Sequence, residues 1–463
     1  MPKICCKSKK QKRKKDIHGT QLEAGSNELI RVGSNIEDVM DLVVFLKDRT
    51  GVHFTLEDAP QSKCENLIDL VINEQGLPPE ASDIFSLWLV SPIIELRLKK
   101  NHNPFTVVQR WDGLCTLYTN ASDKEIQESE PVLMFQRDVF FKREREHLIK
   151  NEKILYYLYH EAKFNVLESR YILHEEDYHT LAGIQAIIQM GKYDDKTAIA
   201  DYKANLNKYY PLFMAVPSRF KIFGRNTSTP CEQQFMEAHK KASAQLSGEP
   251  ELAEQYKNYL KILWEYPFYG GAFFSGEVEV KLGKIRKLIF PSPLIKVTIC
   301  INTEGIAIFD KLKDEFLLYM PFSKLSWTYV DKAWDGDNDP EPMLIIQFPS
   351  DQRTVAGDKT VTKLLQIMSG EAKLMDALIE TLVAKILEDK RRISSDIDVV
   401  DAYKGHVPAT ISSDIDLNPT QQEKHPQKPA TKTPVSDVSY KQLFNKLDRL
   451  VLETYTTDGE EVE

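Results

Sequence analysis

The hydrophobic pattern changes period three times along the chain. From Asp41 the apolar positions fall in short β-rich runs: Asp41 to Lys47, a polar Asp48-Arg49-Thr50-Gly51 turn, then Val52 to Glu57. That spacing predicts a hairpin. Leu67, Leu70, Val71 and Glu74 follow at helical intervals until Gly76, Pro78 and Pro79 stop the helix, and strands are predicted at Ile84 to Val90, Ile94 to Lys99 and Val132 to Arg137. Residues 38–137 thus read ββαβ with a further strand. Over 138–266 the period is helical, carried by Ile149, Ile154, Leu155 and Leu158, by Leu181, Ile184, Ile187 and Ile188, and more weakly by Phe235 and Ala238. This predicts a helical bundle whose helices are divided by a cap at Asp201 and by Ser247-Gly248-Glu249-Pro250. Over 267–390 strands return at Ala272 to Val280, Leu294 to Ile301, Gly305 to Asp310, Phe316 to Phe322, Leu325 to Val330, Met343 to Phe348 and Thr362 to Met368. A helix from about Glu371 to Lys390 then presents an apolar stripe that would close the open end of a β-sandwich. The predicted class is α+β and multidomain.

Both ends differ from this body. Residues 1–37 lack a hydrophobic period and form a basic tail. Residues 391–436 hold one aromatic and five prolines, which predicts disorder, and repeat Ile393-Ser394-Ser395-Asp396-Ile397-Asp398 unchanged at 411–416. The last amphipathic stretch, Ser439 to Tyr455 within a C-terminal tail of 391–463, predicts a short helix. The net charge is −9 over 463 residues, yet the first 15 carry eight basic residues and no acid, so the remainder is more acidic than the whole. An acidic body is a poor phosphate-binding surface, and no nucleic-acid partner is expected. No apolar run is long enough to cross a membrane and no secretory signal precedes the body, so a cytoplasmic chain is expected. The six cysteines form neither a CxxC pair nor a zinc spacing.

Catalytic and cofactor motifs are thin. Gly191-Lys192 lacks the upstream glycine and the following Ser or Thr of a phosphate loop. His174 and His179 stand five apart rather than the four that a helical zinc pair needs. Asp335, Asp337 and Asp339 begin like a calcium loop, but Pro340 and Ile346 take the places of its glycine and bidentate glutamate. No enzyme, metal or cofactor is expected.

A roll, a bundle and a sandwich with a closing helix, in that order, resemble the three-lobed FERM arrangement, whose first lobe is ubiquitin-like and whose third is of the PH or phosphotyrosine-binding type. The likeness is carried by KILYYLYHEAKFNVL at 153–167, DYHTLAGIQ at 177–185 with Gly191-Lys192-Tyr193, Tyr269-Gly270-Gly271-Ala272-Phe273-Phe274, and Ser326-Trp327. The segments 83–95 and 267–278 resemble one FERM subfamily of adaptors most, with the Krev interaction trapped protein a more distant likeness. It implies a non-catalytic scaffold at the inner face of the plasma membrane. Such scaffolds bind the cytoplasmic tail of an integral membrane protein: an iRhom pseudoprotease in an ADAM-sheddase complex, or a Wnt co-receptor.

In a lobe of this type an extended peptide can add to the strand at Leu325 to Val330 beside the closing helix. The residues expected to serve it are Ser326, Thr328 and Val330 on the strand, with Lys373 and Lys385 on the helix to flank an acidic peptide. Cys5 and Cys6, beside the lysine run, are expected acylation sites that with the basic residues would hold anionic plasma-membrane lipids, since Pro2 rules out N-myristoylation. Ser394 follows Arg391 and Arg392 in a basophilic-kinase pattern and is the expected phosphorylation site. The competing reading is a membrane-cytoskeleton linker. Its usual basic tail is missing here, since 391–463 hold nine Lys and Arg against thirteen Asp and Glu.

Overall fold

The chain begins its described structure where alternation begins. The computed structural model describes residues 40–56, 61–195, 199–215, 232–280, 293–313, 315–331, 341–354, 357–396 and 453–455. These fall into two units, Met1–Leu117 with Ala121–Gly270, and Tyr118–Asn120 with Gly271–Glu463. Each is taken in turn.

In the first unit β1 (Met40–Leu46) and β2 (Gly51–Leu56) form the expected hairpin. The Asp48 carboxylate accepts from the Thr50 amide at 2.9 Å and the Thr50 hydroxyl at 2.6 Å, which fixes the turn. Helix α1 (Cys64–Gln75) buries Cys64, Leu67, Ile68, Val71 and Ile72, the spacing of one helical face, and stops at left-handed Gly76. A single turn α2 (Ala81–Ile84) leads into β3 (Phe85–Val90), so Ile84 ends a helix rather than opening the strand. The strand expected at Ile94 to Lys99 contracts to β4 (Glu95–Arg97). Helices α3 (Pro104–Val108), α4 (Trp111–Tyr118) and α5 (Asp123–Gln127), which the hydrophobic period did not reveal, precede β5 (Val132–Arg137). The sheet order is β2-β1-β5-β3-β4, with β1 and β5 parallel.

The bundle follows as α6 (Arg143–Glu146), α7 (Glu152–Leu167), α8 (Glu175–Met190), α9 (Ile199–Tyr209), α10 (Leu212–Ala215), α11 (Glu232–Ala244) and α12 (Leu252–Trp264). Asp201, expected as a cap, lies inside α9 instead, because the apolar residues around it extend the helix by two positions upstream. Gly183 sits where α8 meets α11: a Cβ there would stand 2.5 Å from the Ala238 carbonyl oxygen, so only glycine allows this crossing.

Charge is buried in this unit, and it is paired. Arg137 on β5 gives its Nε proton to Glu146 at 2.7 Å, with both side chains at most 5% exposed. Glu146 also accepts from the Trp264 indole at 2.9 Å and the Tyr269 hydroxyl at 2.5 Å, while Arg137 caps the carbonyls of Phe141 and Gly270. A second cluster links sheet to bundle through Glu95 and Arg170, Arg97 and Asp138, and buried Lys47 near Glu161. Burial pushes the Lys47 ammonium down and the Glu161 carboxyl up, each opposed by the other's charge. Burial alone would raise Glu95, but the Arg170 guanidinium holds it below the usual carboxylate range. Such pairs stabilise weakly as pairs, and losing one partner strands a buried charge.

The second unit is built on alternation. Its strands are β6 (Ala272–Glu279), β7 (Leu294–Ile301), β8 (Gly305–Asp310), β9 (Glu315–Pro321), β10 (Ser326–Val330), β11 (Met343–Thr354) and β12 (Gly357–Met368). They are joined in the order β10-β11-β12-β6-β7-β8-β9. β11 and β12 are longer than expected and pair continuously from Met343↔Met368 to Thr354↔Gly357. Helix α13 (Ala372–Asp396) seats fully buried Ala372, Met375 and Ile379 in a core with Ile299, Ile308, Leu344, Ile346, Leu365 and Ile367. Each large side chain contributes about 1.5–3 kcal/mol by burial, as an upper estimate. The buried carboxylates here serve backbone amides: Glu371 accepts from Ser275 at 2.6 Å, and Asp310 from Leu312 and Lys313 at 3.0 Å.

Two expectations are corrected in this unit. The closing helix runs past Lys390 to Asp396, since nothing in Arg391-Arg392-Ile393-Ser394-Ser395 breaks a helix. The end of the stretch expected as a C-terminal helix is instead strand β13 (Glu453–Tyr455), paired antiparallel with β12, because an available strand edge rewards the β-forming Thr454 and Tyr455 more than a terminal helix turn would. The rest of that stretch, like Asp335 to Asp339, lies outside the described residues.

Candidate functional site

Strand β10 is the last in its sheet's order. It pairs with β11 on one side, and its other edge meets no strand among the described residues. Helix α13 packs along it, and the Trp327 indole donates to Asp376 at 2.9 Å, tying strand to helix. An open backbone edge with a helix beside it offers what an added peptide strand needs: main-chain donors and acceptors in a row and side-chain pockets at alternate positions.

The register decides which side chains line this site. Trp327 stands opposite fully buried Ile346, and Tyr329 opposite fully buried Leu344, so these two rings lie on the core face that α13 covers. Ser326, Thr328 and Val330 oppose Gln347, Ile345 and Met343 on the other face, where Ser326 donates to Gln347 at 3.4 Å. The expected strand residues Ser326, Thr328 and Val330 therefore lie on the face of β10 away from α13. A one-residue shift changes the face. Tyr329 donates to Asp331 at 3.1 Å, and partial burial with that carboxylate pushes its phenol up to about 12.

On the helix, Lys373 is exposed and, at 100° per residue, stands roughly 60° from Asp376. Lys385 is also exposed but lies roughly 180° from Asp376, so it cannot flank the same groove. Ser394 is in the last turn of α13, within a helix rather than in the linker expected for it. Cys5 and Cys6 lie outside the described residues. The residues beside this edge that sequence reasoning did not name for the site are Trp327, Tyr329 and Asp376. The signal for Tyr329 was present, since β alternation from Trp327 places it on the same face.

Elsewhere the motifs are explained without chemistry. Gly191 ends α8, and its carbonyl meets His239 Nε2 at 2.8 Å. His174 precedes α8, whereas His179 within it meets the Tyr210 hydroxyl at 3.0 Å. Gly270 holds a φ of +68°, and a Cβ there would meet the Arg137 guanidinium at 2.4 Å. No helix among the described residues is long and apolar enough to cross a membrane.

Two family models match, the FERM central domain over residues 144–274 and the KRIT1/FRMD8 FERM domain C-lobe over 295–378. The second spans the open strand and the first two turns of α13. FERM domain-containing protein 8 of Xenopus tropicalis is 33% identical over 352 residues, covering 74% of this chain and 75% of that protein. The mouse protein of the same name is 34% identical over 349 residues, covering 73% and 72%. Among solved structures, the human myosin 7b C-terminal MyTH4-FERM domain in complex with the harmonin-a PDZ3 domain shares the fold at 15% identity and a TM-score of 0.50, covering 76% of this chain and 61% of that one. The module order, the open third-lobe edge and these relatives together place the chain in the FERM domain-containing protein 8 family, FERM-class adaptors of α+β fold.

Proposed function

We propose that the chain is a non-catalytic adaptor that captures the cytoplasmic tail of an integral membrane protein by strand addition to β10. The observation that carries this reading is the edge of β10 that meets no strand among the described residues, with α13 tied beside it through Trp327 and Asp376. Main-chain pairing supplies affinity, and the Trp327 and Tyr329 face selects side chains. The tail favoured by family membership is that of an iRhom pseudoprotease, whose sheddase complex the adaptor would hold at the cell surface. A Wnt co-receptor tail is the second candidate. The proposed lobes are 38–137, 138–266 and 267–390, and Lys373 is the helix cation nearest the groove. Cys5 and Cys6 with the basic N-terminus would bring the chain to anionic membrane, and phosphate on Ser394 would set negative charge beside Arg391 and Arg392 at the end of α13.

The test is titration calorimetry of an iRhom-tail peptide against the full chain and its Thr328→Pro variant, each with a melting curve. Proline removes an amide and distorts the ladder, so binding should fall at least about tenfold while the fold persists. Undiminished capture by a folded Thr328→Pro chain would move the peptide to another site. Thr328→Ala should leave binding within about twofold, because its side chain faces away from the groove.

A further inference from the structure

Strand β12 is engaged unevenly along its two edges. On one side it pairs with β11 over its full length. On the other it meets β6 only at Met368↔Glu277, and further up the same strand Thr362, Lys363 and Leu364 pair with Tyr455, Thr454 and Glu453 of β13. The extra strand comes from the far end of the sequence, across the 56 residues between Asp396 and Glu453.

We propose that this edge of β12 is a strand-addition site held in cis by the chain's own C-terminal segment, Glu453–Tyr455, which acts as a displaceable latch. Three residue pairs hold a separate peptide only weakly, because ordering each residue offsets most of the gain from its backbone bonds. The tether changes that balance. A random coil of 56 residues would span roughly 40 Å root-mean-square and present its end at an effective concentration approaching millimolar. A short strand therefore stays docked while joined to the lobe. The latch is correspondingly shallow, and a trans strand that pairs with more of β12 displaces it. The same docking makes the 56-residue connection a closed loop with both ends on the second unit.

This site is independent of the β10 edge, from which β11 separates it. The two proposals fail separately. The experiment compares the full chain with a Thr454→Pro/Tyr455→Pro variant, two prolines being used so that one of them removes a ladder amide whichever pairing phase holds. Hydrogen exchange at Thr362 to Leu364 should be faster by about tenfold or more in the variant, with the β7 and β8 amides unchanged as the control for folding. A synthetic peptide of residues 447–463 should bind the variant and not the parent at the same concentration, and capture at β10 should be equal in both. Unchanged exchange at Thr362 to Leu364, or equal peptide binding by parent and variant, would overturn the latch. A parent chain that elutes as a dimer and becomes monomeric in the variant would also overturn it, by showing that the strand comes from a second copy.

Discussion

The two units solve the same problem of burying polar groups in opposite ways. The first buries whole charges and matches them across elements: Arg137 with Glu146, Glu95 with Arg170, Lys47 against Glu161. The second buries few among its described residues, and turns its carboxylates onto backbone amides, Glu371 onto that of distant Ser275 and Asp310 onto that of Leu312. Charge pairs between elements fix geometry, since each partner is costly without the other. Carboxylates that cap backbone amides leave the sheet's edges unspent. The first unit is thus suited to hold a shape, and the second to add strands.

The sharpest way to break this contrast is to strand a charge. Glu146→Leu leaves the Arg137 guanidinium buried and unpaired, and urea unfolding of the first unit should lose about 3–5 kcal/mol, while Arg137→Met/Glu146→Leu should recover most of it. If the single and double variants are equally unstable, the network contributes through packing instead. A steric break comes next. Gly183→Ala forces α11 away from α8 and should lower stability by about 1–3 kcal/mol, with no change in the exchange of β10 to β12 amides.

A proton separates the units more gently. His160 is largely buried among Tyr156 and Tyr159, its Nδ1 has no hydrogen-bond partner among the described residues, and burial lowers its pKa to about 4. Because the unfolded chain takes up this proton first, stability is complete above the ordinary histidine value and is lost as pH falls from about 6.5 towards 4. His160→Gln should remove up to about 3 kcal/mol of that acid-side loss, read from denaturation midpoints across the window. An unaltered slope would assign the loss to other groups. The smallest effect is expected in the second unit: Trp327→Phe keeps the ring and frees Asp376, costing about 1 kcal/mol in the melting curve.

Most of the architecture was legible from period alone. β5, β7 and β8 begin and end at their expected residues, because turn residues on both sides leave no room to extend. What escaped was short or distant. Helices α3 and α5 have too few turns for a hydrophobic stripe, but their starts are written in Asn103-Pro104 and in the Ser122 to Glu125 capping box. β13 was hidden because its partner lies about ninety residues earlier, and no local period announces a strand that borrows an edge. At the proposed site, the residues expected on β10 fall on its face away from α13. Choosing Ser326, Thr328 and Val330 followed polarity, whereas the large rings at 327 and 329 mark the covered side. Lys385 was chosen for its charge without its angle.

The bond between Trp327 and Asp376 also makes the groove visible. Trp88, Trp111 and Trp264 are each at most 5% exposed, so their emission is insulated from solvent and from quenchers. Trp327 is only half covered and sits on the strand that a peptide would flank. In a chain carrying Trp334→Phe, a residue outside the described segments, the wavelength of tryptophan emission and its quenching by iodide become an intrinsic optical readout of that edge, with no dye attached.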